Sequence, residues 1–253
     1  MSASRDCNHP HDPVSSRRTF IKTSTAAGGA LLCALGARPQ LAGAQEVPVA
    51  LTREVRDKLT PDQILAKLKE GNQRFREGRK IQRDFLAEQR ATAAGQFPAA
   101  VLLSCIDSRA PAEILFNLGL GDVFNARIAG NVDNPDILGS MEFTTKLAGA
   151  KVVLVMGHSA CGAVAGAIAD ARLGHLTQLL ARIQPAVKAT VYSGERSASN
   201  AAFVDVVARK NVELTMASIR KNSQVIADLE KAGTVKIAGA FYDLKTGAVE
   251  FFA

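Results

Sequence analysis

Short apolar runs alternate with helix-like stretches along the chain from residue 97 onward. Each run contains valine, leucine or isoleucine and has the length of a buried strand. The predicted strands lie at 99–104, 123–128 and 151–156, and the predicted helices begin at Pro111, span 136–148 and begin at 160. Strands and helices in this order predict an α/β fold with a mostly parallel central β-sheet flanked by helices.

The last third of the chain continues in helices and then returns to strands. Leucines and valines recur at three- and four-residue spacing over 173–232, which predicts helix, although the run 203–208 also fits a strand. The apolar segments 235–242 and 248–252 are joined by a turn-forming sequence, 243–247. This pattern predicts a C-terminal β-hairpin.

A predicted helix precedes the first strand. Thr60 and Gln63 fit a capping box, with a proline at the first helical position between them. Most of the sequence that follows is polar, so we expect the N-terminal helical arm, 45–95, to bury its few apolar residues against the main body or a partner. The main α/β domain is assigned to 96–253.

The first 44 residues have the pattern of a cleavable export leader. A basic stretch with Arg17 and Arg18 precedes an uncharged small-residue segment, 23–37, and an A-x-A-like site ends at Ala44. The paired arginines resemble a twin-arginine signal, which directs folded proteins across the bacterial inner membrane; an ordinary secretory leader is the alternative. The apolar segment is shorter than the roughly 20 residues of a membrane helix, so we expect no stable membrane anchor. The mature protein is expected in the periplasm.

Removal of the leader changes the charge and the cysteine content. The chain carries a formal net charge of +7, of which the first 44 residues contribute +3 through five basic and two acidic residues, leaving +4. This charge is too low, and too little clustered with aromatic residues, to predict a nucleic-acid partner. The remaining part keeps two cysteines and two histidines: Cys105, Cys161, His158 and His175.

The segment SCIDSR follows the first predicted strand and carries three reactive side chains. Cys105, Asp107 and Arg109 stand at alternate positions, so along an extended chain they point the same way. If the chain turns after Ser104, they can still line one pocket at the carboxyl edge of the sheet.

A second motif, GHSACG, follows the strand 151–156 and places His158 three residues before Cys161. The functional loops of parallel sheets lie at the carboxyl ends of the strands, so these two side chains are expected to converge with Cys105. Two thiolates and an imidazole suit Zn²⁺ and leave a fourth position for water or substrate. The alternative is that the cysteines are core residues or form a disulfide.

Taken together, the motifs resemble the β-class carbonic anhydrases. SCIDSR, GDVFNARIAGN, GHSACGAV, EGNQRF and the ending AFYDLKTGAVEFF follow that family's pattern, and the resemblance covers nearly everything after about residue 60. It implies one Zn²⁺ per chain, bound by Cys105, His158 and Cys161, and reversible hydration of CO₂ to bicarbonate and a proton. Asp107 and Arg109 are implied to form the catalytic pair that orients the hydroxide generated at the zinc.

The resemblance leaves two roles for Asp107. Paired with Arg109, it accepts a hydrogen bond from the hydroxide; unpaired, it takes the fourth zinc position in a closed state. Because two thiolates cancel the charge of Zn²⁺, we expect a weak Lewis acid and activity that rises toward alkaline pH.

The same resemblance implies further pocket residues and an assembly. Gln96 corresponds to a glutamine that lines the substrate pocket from across a dimer interface. Phe124, Ala129 and Gly162 correspond to other pocket positions, although sheet packing and tight turns explain them equally well. The implied assembly is a homodimer, which in some members pairs into a tetramer.

Other functions fit parts of the sequence. The same fold can hydrolyse a related small molecule such as CS₂ or COS. A non-catalytic zinc- or bicarbonate-binding protein would not need the pair of Asp107 and Arg109. A dithiol redox protein would use Cys105 and Cys161, but the mature sequence lacks a C-x-x-C motif.

Overall fold

A five-stranded sheet forms the centre of the computed structural model, which describes residues 50–252. The strands are β1 (Ala100–Ser104), β2 (Val123–Arg127), β3 (Val152–His158), β4 (Lys236–Tyr242) and β5 (Val249–Phe252). Their order is β2-β1-β3-β4-β5; the first four are parallel, and β5 is antiparallel to β4. The α/β class, the mostly parallel sheet and the C-terminal hairpin are therefore confirmed. The predicted leader lies outside the described residues.

Nine α-helices accompany the sheet within the described residues. They are α1 (Arg53–Lys58), α2 (Pro61–Arg76), α3 (Phe85–Thr92), α4 (Ala112–Leu115), α5 (Pro135–Glu142), α6 (Gly162–Ile168), α7 (Gly174–Ala189), α8 (Ala201–Asn222) and α9 (Gln224–Lys231). A π-helical turn, Phe143–Leu147, extends α5, and the ambiguous run 203–208 lies in α8. The sequence did not predict α1 and α3, because six and eight residues are too few for a clear apolar period.

The strands β1 and β3 lie in the middle of the sheet and are covered on both faces. Every residue of both strands is buried, because α2 and α4 pack on one face and α8 and α9 on the other. The continuous apolar sequences of these strands are the expected pattern for parallel strands buried on both sides. The carboxyl ends of the two strands are thus held side by side on a rigid support.

The helix α2 packs on this sheet within the same chain. Ile64, Leu65 and Leu68 belong to the core that covers one face. Thr60 Oγ1 accepts a hydrogen bond from Gln63 N at 3.2 Å, and Gln63 Oε1 accepts one from Thr60 N at 2.9 Å, so the predicted capping box is present. Of the two contacts expected for the arm, the main body and a partner, the structure shows the first.

A buried ion pair holds α3 against the turn that precedes β2. Glu88 is fully buried; its Oε1 accepts a hydrogen bond from Arg83 Nη1 at 2.8 Å, and its Oε2 accepts one from Leu120 N at 2.9 Å. A Cβ at Gly119 would meet the charged ends of Arg83 and Glu88, so a larger residue at this position would have to displace the buried ion pair. Within residues 50–252, no helix has the length and apolar composition to cross a membrane.

Candidate metal centre

The two reactive motifs meet at the carboxyl ends of neighbouring strands. Ser104 of β1 pairs with Met156 of β3, so the residues that follow each strand emerge side by side. Cys105 comes directly after β1, His158 ends β3, and Cys161 is the N-cap of α6. The convergence expected from the strand order is present.

The three side chains form a compact, buried cluster. One sulfur or nitrogen atom from each of Cys105, His158 and Cys161 lies within 4.8 Å of the others, and the two Sγ atoms are 4.0 Å apart. Two thiolates at about 2.3 Å from a tetrahedral zinc ion would be about 3.8 Å apart, close to the observed separation. Exposure is 5% for Cys105 and 1% for both His158 and Cys161, so the cluster is shielded from bulk water.

The histidine is oriented as a metal ligand. His158 Nδ1 lies 2.9 Å from the Ser159 carbonyl oxygen, so Nδ1 carries the proton and donates it. Nε2 is buried and has no hydrogen-bond partner within residues 50–252. A neutral imidazole held in this way directs its free lone pair at a metal, which is the usual arrangement of a histidine ligand. This orphaned nitrogen shows that the residues fit zinc.

The charge balance of the two thiols favours a bound cation. A hydrogen bond with the Cys161 thiol, assisted by the Gly130 N–H at 3.4 Å, lowers the pKa of Cys105 to about 4. The same bond, together with burial, raises the pKa of Cys161 above its ordinary value. The pair therefore loses its first proton readily and holds its second, and a divalent cation stabilises the second thiolate in place of that proton.

Asp107 and Arg109 form a two-pronged ion pair beside the cluster. Arg109 Nε donates to Asp107 Oδ1 at 2.9 Å and Nη2 to Oδ2 at 2.7 Å, while the Arg109 backbone N–H donates to Oδ1 at 2.9 Å. This guanidinium holds the pKa of Asp107 below its usual range. Asp107 Oδ2 is 3.9 Å from His158 Nε2. Of the two roles left open by the sequence, the structure shows the paired arrangement.

Arg127 is a further contributor that the sequence analysis missed. It ends β2, and its side chain donates from Nε to the Cys105 carbonyl at 2.9 Å and from Nη2 to the Asp107 carbonyl at 2.5 Å. Both carbonyls flank the segment that carries the first cysteine and the aspartate. The available signal was position: Arg127 stands at the carboxyl end of a third parallel strand, where functional side chains collect.

The four predicted pocket residues fall into two groups. Ala129 starts the 3₁₀ turn whose Gly130 contacts Cys105, and Gly162 follows Cys161 directly, so both lie beside the cluster. Gln96 and Phe124 do not. Gln96 precedes β1, whose five residues span roughly 16 Å before Cys105 is reached.

Phe124 lies in the first half of β2. It pairs with Val101, and its ring packs edge-on against Phe143 with centroids 6.4 Å apart. Within the chain, its contacts are those of a sheet-edge packing residue.

Comparison with known proteins identifies the family. The family model described as carbonic anhydrase matches residues 100–249, more than half of the chain. Carbonic anhydrase 2 of Mycobacterium tuberculosis is 37% identical over 186 residues, which cover 71% of this chain and 87% of that protein. The chain belongs to the carbonic anhydrase family.

Solved structures place this carbonic anhydrase family member in the β class. A tetrameric β-carbonic anhydrase from Sordaria macrospora matches with 26% identity and a TM-score of 0.56, over 64% of this chain and 83% of that chain. The β-carbonic anhydrase CafA of Aspergillus fumigatus matches with 26% identity and a TM-score of 0.57, over 76% and 89%. The class predicted from the motifs is confirmed.

Proposed function

We propose that this protein catalyses the reversible hydration of CO₂ to bicarbonate and a proton. The observation that carries the proposal is the buried cluster of two cysteines and one histidine, with the ion pair of Asp107 and Arg109 beside it, in a chain of the β-carbonic anhydrase family. Cys105, His158 and Cys161 would hold one Zn²⁺. Held by three protein ligands, this ion would lower the pKa of water and so supply hydroxide.

The protein's own residues orient the reaction. Asp107 is an ionised acceptor with about four lone-pair sites, three of which are used by Arg109. The remaining site belongs to Oδ2, the oxygen nearest His158 Nε2. Asp107 Oδ2 can therefore accept the O–H of the reacting water and fix its direction. Arg109 keeps this carboxylate charged and in place.

A direct assay separates CO₂ hydration from the related functions. The purified chain should hydrate CO₂ in a stopped-flow pH-indicator assay at a rate that scales with its zinc content. Hydrolysis of COS or CS₂ without CO₂ hydration would favour the related hydrolase. Zinc binding without either activity would favour a binding protein.

The rate of CO₂ hydration is expected to rise from about pH 6 to 9. Two thiolates offset both charges of Zn²⁺, so the ion acidifies water less than one held by neutral imidazoles. Asp107 does not contribute to the rise. Because Arg109 lowers its pKa, Asp107 is ionised at every pH above its usual pKa of about 3.9 and is protonated only at more acid pH. Initial rates across this range, at constant ionic strength, test the expectation. A flat profile would contradict it.

We propose that the chain forms a homodimer, which can pair into a tetramer, through the β2 edge of the sheet. Within residues 50–252, β2 has a strand on one side only. Beside it lies a groove of about 670 Å³ that is lined in part by Phe124 and Phe143. Phe143 and Leu147 are 54% and 76% exposed there. The Sordaria macrospora relative is described as tetrameric, and light scattering of the chain in solution tests the assembly.

Gln96 is proposed to act on the zinc site of the second protomer. It is exposed and remote from its own cluster, so a role in the pocket requires a partner. Gln96→Ala should reduce CO₂ hydration about 10-fold, the usual scale for one hydrogen bond to substrate, without changing zinc content. Gln89→Ala, at an exposed position of α3, is the matched control.

Mixed assemblies give the sharper form of this test. Gln96→Ala chains co-expressed with Cys161→Ala chains form some dimers in which one site has both an intact zinc cluster and an intact partner glutamine. These dimers should be more active than the Gln96→Ala homodimer. An absence of recovery would contradict a role across the interface.

We propose that the leader is a twin-arginine signal and that the protein acts in the periplasm. Support comes from the leader pattern and from the two free, buried thiols, which zinc would protect if it were bound before export. Changing Arg17 and Arg18 to lysine should leave the precursor in the cytoplasm of a bacterial host, as measured by fractionation. Arg38→Lys is the control, and unchanged export of the double variant would refute the signal type.

A further inference from the structure

The turn between the two zinc ligands of GHSACG has an unfavourable backbone conformation. Ser159 and Ala160 separate His158 from Cys161, and Ala160 has a φ of 52°. This left-handed region is rarely adopted by residues that carry a Cβ. The surroundings must therefore stabilise this turn. Its geometry matters to the site because it fixes the separation of His158 Nε2 and Cys161 Sγ.

Three hydrogen bonds from outside hold this turn. Ser159 N donates to the Tyr242 carbonyl at 2.9 Å, and Ser159 Oγ accepts a hydrogen bond from Leu244 N at 3.0 Å. Ala160 N donates to Asp205 Oδ1 at 2.9 Å. The last bond is the one that reaches the strained residue, and it is the one with a charged acceptor.

Among the described residues, the Asp205 carboxylate makes no other polar contact. It lies in the first two turns of α8, and within residues 50–252 its carboxylate has no ion-pair partner and no other hydrogen bond. Its neighbours Val204 and Ala208 pack in the same buried cluster as Cys105 and Cys161. The helix therefore packs against the metal site, and the Asp205 carboxylate accepts a hydrogen bond from the turn that joins His158 to Cys161.

We propose that Asp205 is a positioning residue for zinc: its carboxylate fixes Ala160 and thereby presets the spacing of His158 and Cys161. A hydrogen bond to a charged acceptor is stronger than a neutral one. Partners that orient metal ligands typically change metal affinity 10- to 100-fold when they are removed. The inference rests on the zinc site of the proposed function but not on its reaction.

The test is a zinc competition assay with a coloured chelator. Asp205→Ala should weaken zinc binding by about 10- to 100-fold. Asp205→Asn keeps an acceptor oxygen at the same position but not its charge, so it should bind zinc more weakly than the wild type and more tightly than Asp205→Ala. Glu213→Ala, which removes an exposed carboxylate from the same helix, should leave zinc affinity unchanged.

Relief of the strained residue provides a second arm. Glycine adopts the left-handed region without a Cβ penalty, so Asp205→Ala/Ala160→Gly should recover most of the lost zinc affinity. This double variant also serves if Asp205→Ala alone does not fold. Wild-type affinity in Asp205→Ala, or weak binding that neither asparagine nor glycine restores, would overturn the proposal. Zinc affinity is measured without CO₂, so failure of the proposed reaction would be seen separately.

Discussion

Cys161→Ala is expected to lose zinc and CO₂ hydration together. The substitution removes one of three ligands and also the thiol whose hydrogen bond lowers the pKa of Cys105. A four-ligand structural zinc site is worth roughly 10–16 kcal/mol, about 3 kcal/mol per ligand, so zinc should bind about 100-fold more weakly or worse. Zinc content by elemental analysis and hydration rate by stopped flow test both effects.

The matched control is the same substitution at a cysteine outside the cluster. Cys33→Ala lies in the predicted leader, so both variants are compared in the uncleaved chain, and we expect Cys33→Ala to keep full zinc content and activity. Alanine fits the buried space left by Cys161, which is 1% exposed, so gross unfolding is not the expected cause of the loss. A Cys161→Ala protein that retains one zinc per chain would contradict the ligand assignment.

Arg109→Ala is expected to lower turnover by about 100-fold while zinc stays bound. A small misplacement of a catalytic group lowers the rate by about this factor. Without the guanidinium, Asp107 loses both side-chain hydrogen bonds and its pKa returns toward the usual range, where it is still ionised at pH 7. The loss therefore comes from position: a free carboxylate is no longer aimed at the water and can take the fourth zinc site instead.

One further variant separates the effect of position from the effect of charge. Arg109→Lys keeps the charge but not the two-pronged geometry, so it should recover only part of the rate. Arg172→Ala is the matched control, because Asp170 and Arg172 form the same i, i+2 pair on the surface, where both side chains are about 70% exposed. Unchanged turnover in Arg109→Ala would show that the pair is not part of the catalytic machinery.

The sequence predicted the parts of the site that depend on local pattern. Apolar runs placed β1 and β3 to within two residues, and the rule that parallel strands end at one edge brought Cys105 and His158 together. His158 still belongs to β3, whereas the prediction ended that strand at residue 156, because a histidine does not extend an apolar run.

The supporting residues were not predictable from local pattern. Asp205 contacts Ala160 across 45 residues, and Arg127 reaches the Cys105 carbonyl across 22. No motif spacing links such pairs; they meet because α8 and β2 pack beside the same strand ends. The buried pair of Arg83 and Glu88 is local in sequence but was also missed, because each residue alone resembles a solvated charge.

Removal and return of zinc tests the central claim most directly. The purified chain should contain about one zinc per chain and hydrate CO₂. Extraction with a strong chelator should abolish hydration, and added Zn²⁺ should restore it in proportion to the metal bound. A chain that binds zinc at Cys105, His158 and Cys161 but shows no CO₂ hydration above background would contradict the proposed function.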